Sequence, residues 1–360
     1  MTATSPGIEA VLALAREDIR ALEPYKNASW EPAFTRLHAN ESPWPPAFDT
    51  ADGDGRLHRY PQPQPPELLK ALSGAWGVDP SQVLVGRGSD EAIDLVTRVF
   101  CVAGQDSVVV CPPTFGMYAV AARIQGAAVR RVPLDAAKGF ALDVPGVCAA
   151  IDAGAKIVWL CTPNNPTGTV LAREDILAVL AAAAGRALVI VDEAYVEFTD
   201  RPSWTLEVSR HPHLATLRTL SKAHALAGAR MGAIVAAPQI IALLRRIVPP
   251  YAVPEPTLRA SLAAMRPDAL AVTDRRIARL NAERERLAAG LATCSGVTRV
   301  CPSAANFLLV EWRDAGEALA RLRAAGLLVR DFRGYDGLGQ TLRLTVGSPD
   351  ENDRMLEVLA

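Results

Sequence analysis

The feature of this sequence that most constrains its fold is the alternation of short apolar runs with longer helical stretches. Between Glu67 and Pro250, seven such runs are separated by segments with helical character: QVLVG, SVVVCPP, AVRRVPL, KIVWLCTP, ALVIVDEAY, LATLRTLS and GAIVAAP. Apolar runs spaced by helices are typical of a mostly parallel sheet covered on both faces. We therefore predict a large α/β domain over residues 51–250, with a seven-stranded sheet between helices.

A second, smaller domain is expected because 360 residues exceed what one compact core usually carries. After Pro250 the segment DRRIARLNAERERLAAGL has one apolar helix face, formed by Ile277, Leu280, Leu287 and Leu291. The shorter runs NFLLVEW, LLVRDF and TLRLTVG follow. These features predict a small α+β domain over residues 251–360. The proline-rich start, residues 1–50, is assigned to an N-terminal arm and part of the small domain.

Composition excludes several functional classes. Half of the residues are hydrophobic and the formal net charge is −1, so neither disorder nor a nucleic-acid or membrane surface is indicated. Six cysteines form no CxxC pair and no secretory segment opens the chain, which favours reduced thiols and a cytoplasmic protein. The HPH sequence at His211–His213 is interpreted as a surface turn, and no metal site is predicted.

Polar residues follow several of the predicted strands at the point where each strand ends. Ligands of open α/β sheets bind outside the carboxyl ends of the strands. Taken singly, these residues are explained by helix caps, turns and solvated lysines. Taken together, they offer an anion cradle, an amide, a carboxylate, a phenol, a lysine and an arginine: Ser89, Asp90, Asn165, Asp192, Tyr195, Ser221, Lys222 and Arg230.

One ligand uses this whole set, and it is pyridoxal 5′-phosphate (PLP). Its aldehyde needs a lysine for a Schiff base, and its ring nitrogen needs a carboxylate to stay protonated. Its phosphate suits a helix N-terminus beside arginine or serine, and its O3′ oxygen suits a phenol. A nicotinamide cofactor is disfavoured because the Gly-x-Gly after QVLVG lacks the third glycine of the dinucleotide fingerprint.

The same segments carry a resemblance to a known family. In order, these are PYKNASW, LHANESPWPP, RYPQPQ, VGRGSDEAIDL, PPTFGMY, TPNNPTG, VDEAYVEF, RTLSKAHALAGARMG, NFLLV, LLVRDF and LRLTVG. Over nearly the whole chain the sequence resembles the PLP-dependent transferases of fold type I, within them the aminotransferases, and specifically the histidinol-phosphate aminotransferase family. RYP and GSDEAIDL favour that branch.

The resemblance implies a role for each residue of the cofactor site. Lys222 would form the Schiff base and move the substrate's α proton, and Asp192 would pair with the ring nitrogen. Tyr195 and Asn165 would bond the O3′ oxygen, and Phe115 would stack on the ring. The phosphate would be held by Ser89, Asp90, Ser221 and Arg230, the first two largely through backbone N–H groups.

The resemblance also implies a homodimer and a substrate site. Tyr60 would reach the phosphate of the other subunit's cofactor. Substrate would be bound by Tyr25, Asn165, Arg330 and Arg343. The implied reaction converts L-histidinol phosphate and 2-oxoglutarate, reversibly, into imidazole-acetol phosphate and glutamate, in histidine biosynthesis.

Some alternatives stay open at this stage. An aromatic amino-acid aminotransferase and a threonine-phosphate decarboxylase of the same fold would use much the same residues. A non-catalytic PLP-sensing regulator would need a DNA-binding domain, for which the N-terminal segment is too short. Three positions depart from the usual family pattern, namely Trp44, the pair His224–Ala225, and Arg87.

Overall fold

The described residues form two sheets, and the larger one contains seven strands. The computed structural model describes residues 6–25, 36–37, 39–42, 44, 46 and 56–360. In chain order the strands are β1 Val83–Arg87, β2 Ser107–Val110, β3 Ala128–Arg131, β4 Ala155–Cys161, β5 Leu188–Asp192, β6 Leu214–Thr219 and β7 Met231–Val235. Their order across the sheet is β1-β7-β6-β5-β4-β2-β3. The two strand pairs that include β7 are antiparallel, and the other four pairs are parallel. Each of the seven apolar runs forms a strand, so the predicted fold class is confirmed.

The helices of the described residues cover the large sheet and complete the smaller one. They are α1 Pro6–Leu14, α2 Glu17–Ala21, α3 Pro66–Trp76, α4 Ser89–Phe100, α5 Met117–Gln125, α6 Val144–Asp152, α7 Arg173–Ala183, α8 Pro238–Leu244, α9 Glu255–Ala264, α10 Pro267–Ala292, α11 Ala315–Ala324 and α12 Pro349–Leu359. None of these helices is both long and apolar enough to cross a membrane.

Because helices cover both faces of the large sheet, the sequences of its strands are nearly continuous apolar runs. In β4, Val158 and Leu160 belong to one buried cluster, whereas Ile157 and Trp159 belong to the cluster on the opposite face. Successive side chains of a strand point to opposite faces, so both sets must be apolar when helices cover both faces. Each such side chain contributes about 1.5–3 kcal/mol on burial.

The smaller sheet has four strands: β8 Val297–Val300, β9 Phe307–Trp312, β10 Arg330–Asp331 and β11 Thr341–Thr345, in the order β10-β11-β9-β8. Helix α10 packs against this sheet through the predicted apolar face, with Leu287 and Leu291 fully buried. Leu258 of α9 joins the apolar cluster of the larger sheet. The domain boundaries at residues 50 and 250 therefore stay predictions.

The HPH sequence is a turn, but it is not wholly at the surface. His213 is buried, and its Nε2 lies 2.8 Å from the Leu180 carbonyl oxygen, so the ring donates that hydrogen bond. Burial lowers the pKa of His213. The expectation of a simple surface turn is corrected for His213, whose buried ring is hydrogen-bonded to helix α7.

Candidate active site

A cavity of about 600 Å³ lies at the carboxyl ends of the strands of the large sheet. Its lining includes residues that follow β1, β4, β5 and β6, together with residues of β10 and β11 from the smaller sheet. Eleven of the predicted site residues line it: Ser89, Asp90, Phe115, Asn165, Asp192, Tyr195, Ser221, Lys222, Arg230, Arg330 and Arg343. The structure thus brings most of the predicted set into one space.

Two further predicted residues, Tyr25 and Tyr60, lie outside the cavity of their own chain. Tyr60 is exposed, and its ring stacks on Tyr251 with centroids 4.5 Å apart. Tyr25 is also exposed and lines a separate groove beside Pro63 and Arg245. Neither contact assigns a role to these tyrosines. The binding of a second subunit's cofactor phosphate by Tyr60 and the binding of substrate by Tyr25 therefore stay predictions.

The start of α4 and Arg230 form one end of the cavity. Gly88 precedes α4 with a φ of 81°, a value that favours glycine, and a Cβ there would lie 2.7 Å from an Arg230 nitrogen. Gly232 packs still more closely, since its Cβ would lie 2.3 Å from the Ser89 nitrogen. The first turn of a helix leaves N–H groups without intrahelical partners. This end therefore combines a helix N-terminus with a guanidinium, which suits an anion.

Arg230 is paired in the structure with a carboxylate of the same helix turn. Its Nη2 lies 3.0 Å from Asp90 Oδ2. Both side chains are about half exposed, so the pair contributes little to stability and can open when an anion binds. Nearby, the Thr219 hydroxyl donates to Ser221 Oγ at 2.9 Å. This orients a second hydroxyl at the same end of the cavity.

Asp192 ends β5 as a buried carboxylate held by two donors. The Tyr118 hydroxyl donates to Oδ2 at 2.6 Å, and the Ala194 N–H donates to Oδ1 at 3.0 Å. Burial raises the pKa of Asp192 from 3.8 to about 6, although both hydrogen bonds act in the opposite direction. A buried carboxylate of this kind is costly unless a cation or further donor meets it. Asp192 is therefore suited to a positively charged partner within the cavity.

Lys222 lies after β6, with its Nζ 5.7 Å from the ring centroid of Tyr195. Partial burial is the main cause of a lowered Lys222 pKa, and the positive charges of Arg343 and Arg230 lower it further. The carboxylates of Asp90 and Asp192 act against this shift. The effect of Arg343 is larger than that of Arg230, although Arg230 is much closer to Lys222 along the chain. A lysine whose pKa is lowered is a better nucleophile and base near neutral pH.

Arg343 of β11 reaches across from the smaller sheet to the loop after β4. Its guanidinium donates to the Asn165 side-chain oxygen and lies 5.1 Å from the Phe307 ring centroid. Burial lowers the pKa of Arg343, and its Nε is buried without a hydrogen-bond partner among the described residues. Arg330 is the register partner of Arg343 across the β10–β11 pair. Both guanidiniums line the part of the cavity that the smaller sheet forms, which we call the substrate end.

The residues present fit PLP. Asp192 is a buried carboxylate that needs a cation, and the protonated ring nitrogen of PLP is one. The close packing of Gly88 and Gly232 places the start of α4 beside Arg230, as a phosphate requires. The same cavity is also lined by Lys222, Asn165 and Tyr195. Burial raises the pKa of Tyr195, which keeps its phenol protonated and able to donate.

Sequence reasoning missed Tyr118, which makes the shorter of the two hydrogen bonds to Asp192 described above. Tyr118 is fully buried in α5, and its ring stacks on Trp159 with centroids 5.0 Å apart. It also packs edge-to-face against Phe115, the predicted stacking residue. Its only sequence signal was its place in PPTFGMY, three residues after Phe115. Phe332 and Tyr335 also line the cavity and were not predicted as site residues, because Phe332 resembles a core residue at the end of LLVRDF and Tyr335 lies in the irregular turn that follows.

This fold and this set of side chains define an enzyme that uses PLP to act on small amines. A family model described as aminotransferase class I and II matches residues 36–359. The chain therefore belongs to the class I and II aminotransferase family.

Comparison with individual proteins gives a finer likeness. The chain is 50% identical over 357 residues to a histidinol-phosphate aminotransferase of Stenotrophomonas maltophilia, covering 98% of this chain and 97% of that protein. A histidinol-phosphate aminotransferase structure from Sinorhizobium meliloti, in complex with pyridoxal-5′-phosphate, superposes with a TM-score of 0.75 at 26% identity, covering 85% and 83%. The L-threonine-O-3-phosphate decarboxylase of Porphyromonas gingivalis has a TM-score of 0.72 at 24% identity, covering 84% and 90%, and that likeness concerns the fold alone.

Proposed function

We propose that this protein is a PLP-dependent aminotransferase that converts L-histidinol phosphate and 2-oxoglutarate into imidazole-acetol phosphate and glutamate in histidine biosynthesis. The observation that carries the choice of substrate is the pair of register partners, Arg330 and Arg343, at one end of the cavity. A planar guanidinium binds a phosphate or a carboxylate through two parallel hydrogen bonds. Two of them suit a dianion better than a single carboxylate. The identity of about one half to a named relative supports the same substrate.

The cofactor would be held at both of its ends by residues of the large sheet. The start of α4, Ser221 and Arg230 would bind its phosphate, and Asp192 would bind its ring nitrogen. When bound, PLP supplies an aldehyde for covalent attachment of the amine and a ring that accepts electrons from the substrate carbon. Asp192 favours the protonated ring because its buried carboxylate gains a cationic partner.

Lys222 would carry the cofactor and then move the substrate's α proton. Its pKa is lowered by burial and by Arg343 and Arg230, so more of the amine is neutral near pH 7. General acid–base catalysis of this kind contributes about 10²–10⁴-fold in rate. Tyr195 would donate its phenolic proton to the cofactor's O3′ oxygen, and Asn165 would donate from its side-chain amide while its oxygen accepts from Arg343.

Arg343 and Arg330 would divide the anions of the two substrates. Arg343 is half-buried and held by Asn165 and Phe307, so it is positioned before substrate arrives. We assign Arg343 to the α-carboxylate of glutamate, and to two of the phosphate oxygens of L-histidinol phosphate. Arg330 is exposed beside the cavity and would add the second guanidinium that only the phosphate requires.

A homodimer located in the cytoplasm is part of this proposal. Exposed Tyr60, in the RYPQPQ segment, is the residue by which one subunit would complete the cofactor site of the other. A Lys222→Ala protein mixed with an impaired Tyr60 variant should regain activity through hybrid dimers. Full activity of a dilute monomer would contradict the shared site.

The reaction is tested by incubating the purified protein with L-histidinol phosphate and 2-oxoglutarate and measuring glutamate. Borohydride reduction followed by peptide mapping should place the pyridoxyl group on Lys222, and labelling of another lysine would refute that assignment. Release of CO₂ from L-threonine O-3-phosphate, without formation of a stable pyridoxamine form, would favour the decarboxylase instead. Equal use of aromatic amino acids would favour the aromatic aminotransferase.

The division of labour between the two arginines is tested by single-turnover kinetics of each half-reaction. Arg330→Ala should weaken the histidinol-phosphate half-reaction about tenfold or more, since a hydrogen bond to a charged group contributes about 1.5–3 kcal/mol. It should spare the glutamate half-reaction, whereas Arg343→Ala should damage both. Arg333→Ala is the matched control, because Arg333 pairs with Asp331. Equal loss in both halves for Arg330→Ala would refute its selectivity.

A further inference from the structure

The segment between β10 and β11, residues 332–340, connects the substrate end of the cavity with the edge of the large sheet. Phe332 and Leu338 anchor it, since both are buried in the apolar cluster of the large sheet. Between these anchors, Asp336 forms an ion pair of 2.6 Å with Arg131 of edge strand β3. The segment is therefore fixed near both ends by apolar burial, and its middle lies beside the edge of the large sheet.

Tyr335 lies in this segment and points its ring at the substrate end of the cavity. It lines the cavity, and its ring centroid is 4.6 Å from that of Phe332. Arg330 Nη2 donates a hydrogen bond of 3.3 Å to the Tyr335 hydroxyl oxygen. Backbone hydrogen bonds from Tyr335 to Phe332 and from Leu338 to Tyr335, of 3.1 and 3.2 Å, hold the turn that carries it. The tyrosine is thus in place before any ligand binds.

The direction of this hydrogen bond leaves one donor available. A guanidinium has only donors, so the Tyr335 oxygen must accept from Arg330 and its own hydrogen must point elsewhere. A phosphate has three terminal oxygens, and two guanidinium forks leave room for a further donor. The α-carboxylate of glutamate has only two oxygens, and in the proposed function both are bound by the fork of Arg343. A third donor beside Arg330 therefore serves a phosphate and is superfluous for glutamate.

We propose that Tyr335 is a specificity-determining residue whose hydroxyl donates to the substrate's phosphate and holds Arg330 in position for the same anion. This rests on the proposed function, in which the amino donor is a phosphate monoester. Tyr335 is exposed at the cavity mouth, so the expected effect of one lost charge-assisted hydrogen bond is at the lower end of its range, roughly tenfold in affinity.

The test compares Tyr335→Phe with wild type in the two half-reactions of the PLP-loaded enzyme. The ring and its contact with Phe332 are kept, so the variant should fold normally. The apparent Kd for L-histidinol phosphate should rise roughly tenfold with little change in the limiting rate, because a ground-state and transition-state contact is lost equally. The apparent Kd for glutamate, and that for L-histidinol without its phosphate, should stay the same.

Asp336→Asn is the matched control, because it removes an exposed ion pair of the same segment and leaves the cavity lining intact. It should change neither Kd, since exposed ion pairs contribute little. An equal rise for glutamate and L-histidinol phosphate in Tyr335→Phe would mean that Tyr335 only shapes the cavity, and this would overturn the inference. No rise for L-histidinol phosphate would overturn it as well.

Inorganic phosphate provides a readout that does not depend on the identity of the amino donor. It should inhibit the glutamate half-reaction of wild type, and its inhibition constant should rise in Tyr335→Phe by about the same roughly tenfold factor. If wild type reacts with glutamate but not with L-histidinol phosphate, the proposed function fails. The inhibition constants then still decide the role of Tyr335, and an unchanged value overturns it.

Discussion

Replacing Asp192 with asparagine should make the cofactor-free protein more stable while it abolishes most catalysis. Asp192 is fully buried, and burial raises its pKa from 3.8 to about 6. The folded state therefore binds the proton of Asp192 more tightly than the unfolded state does. The contribution of Asp192 to the free energy of unfolding is therefore most favourable at low pH. It is lost as the pH rises from below 3.8 through about 6. An uncharged asparagine avoids this loss.

The size of the effect follows from the two pKa values. A difference of about two pKa units at 1.36 kcal/mol per unit gives ~3 kcal/mol in favour of Asp192→Asn once the pH exceeds about 7. The same relation gives ~1.5 kcal/mol at pH 5, so the advantage should roughly double between pH 5 and pH 8. The Tyr118 oxygen can accept from the new amide, so the hydrogen-bonded contact at Oδ2 is replaced.

The assay is urea unfolding of cofactor-free wild type and variant at pH 5, 6, 7 and 8. Asp79→Asn is the control of opposite sign, because the pKa of that exposed capping carboxyl is lowered by its hydrogen bonds with Ser81. Its charge favours the folded state above the unfolded-state pKa, and that contribution is lost as the pH falls.

A variant at position 192 that is less stable than wild type at pH 8, or an advantage that does not grow with pH, would refute the reasoning. An active Asp192→Asn enzyme would show that the carboxylate only closes a turn.

Three further predictions concern residues around the site. Tyr118→Phe removes a donor to Asp192, so the pKa of Asp192 should rise above about 6 and PLP affinity at pH 7 should fall roughly tenfold, measured by titrating the cofactor-free protein. Ala225→Gly should raise stability by up to ~1 kcal/mol, because Ala225 has a φ of 56°; a lower denaturation midpoint would contradict this. Glu197→Ala should destabilise by about 3 kcal/mol, since it breaks the buried ion pair that Glu197 forms with Arg218; a loss no larger than that of an exposed pair would count against it.

The strands and the residues that follow them could be predicted from the sequence because both signals are local. A strand must be apolar where helices cover both of its faces, and residues 157–161 of β4 and 188–191 of β5 show this directly. A lysine or an aspartate that directly follows such a strand must lie at the ligand-binding edge of the sheet. Lys222 and Asp192 were located in this way, and the cavity contains both.

The tertiary structure alone decided which of these groups touch and what charge each one carries. Tyr118 and Asp192 are 74 positions apart, and they meet because α5 packs on the sheet. Arg330 and Arg343 become neighbours through the antiparallel register of β10 and β11, and a one-residue shift of that register would separate them. Contacts between distant segments, and the burial that sets each pKa, depend on how whole elements pack. No local pattern in the chain encodes them.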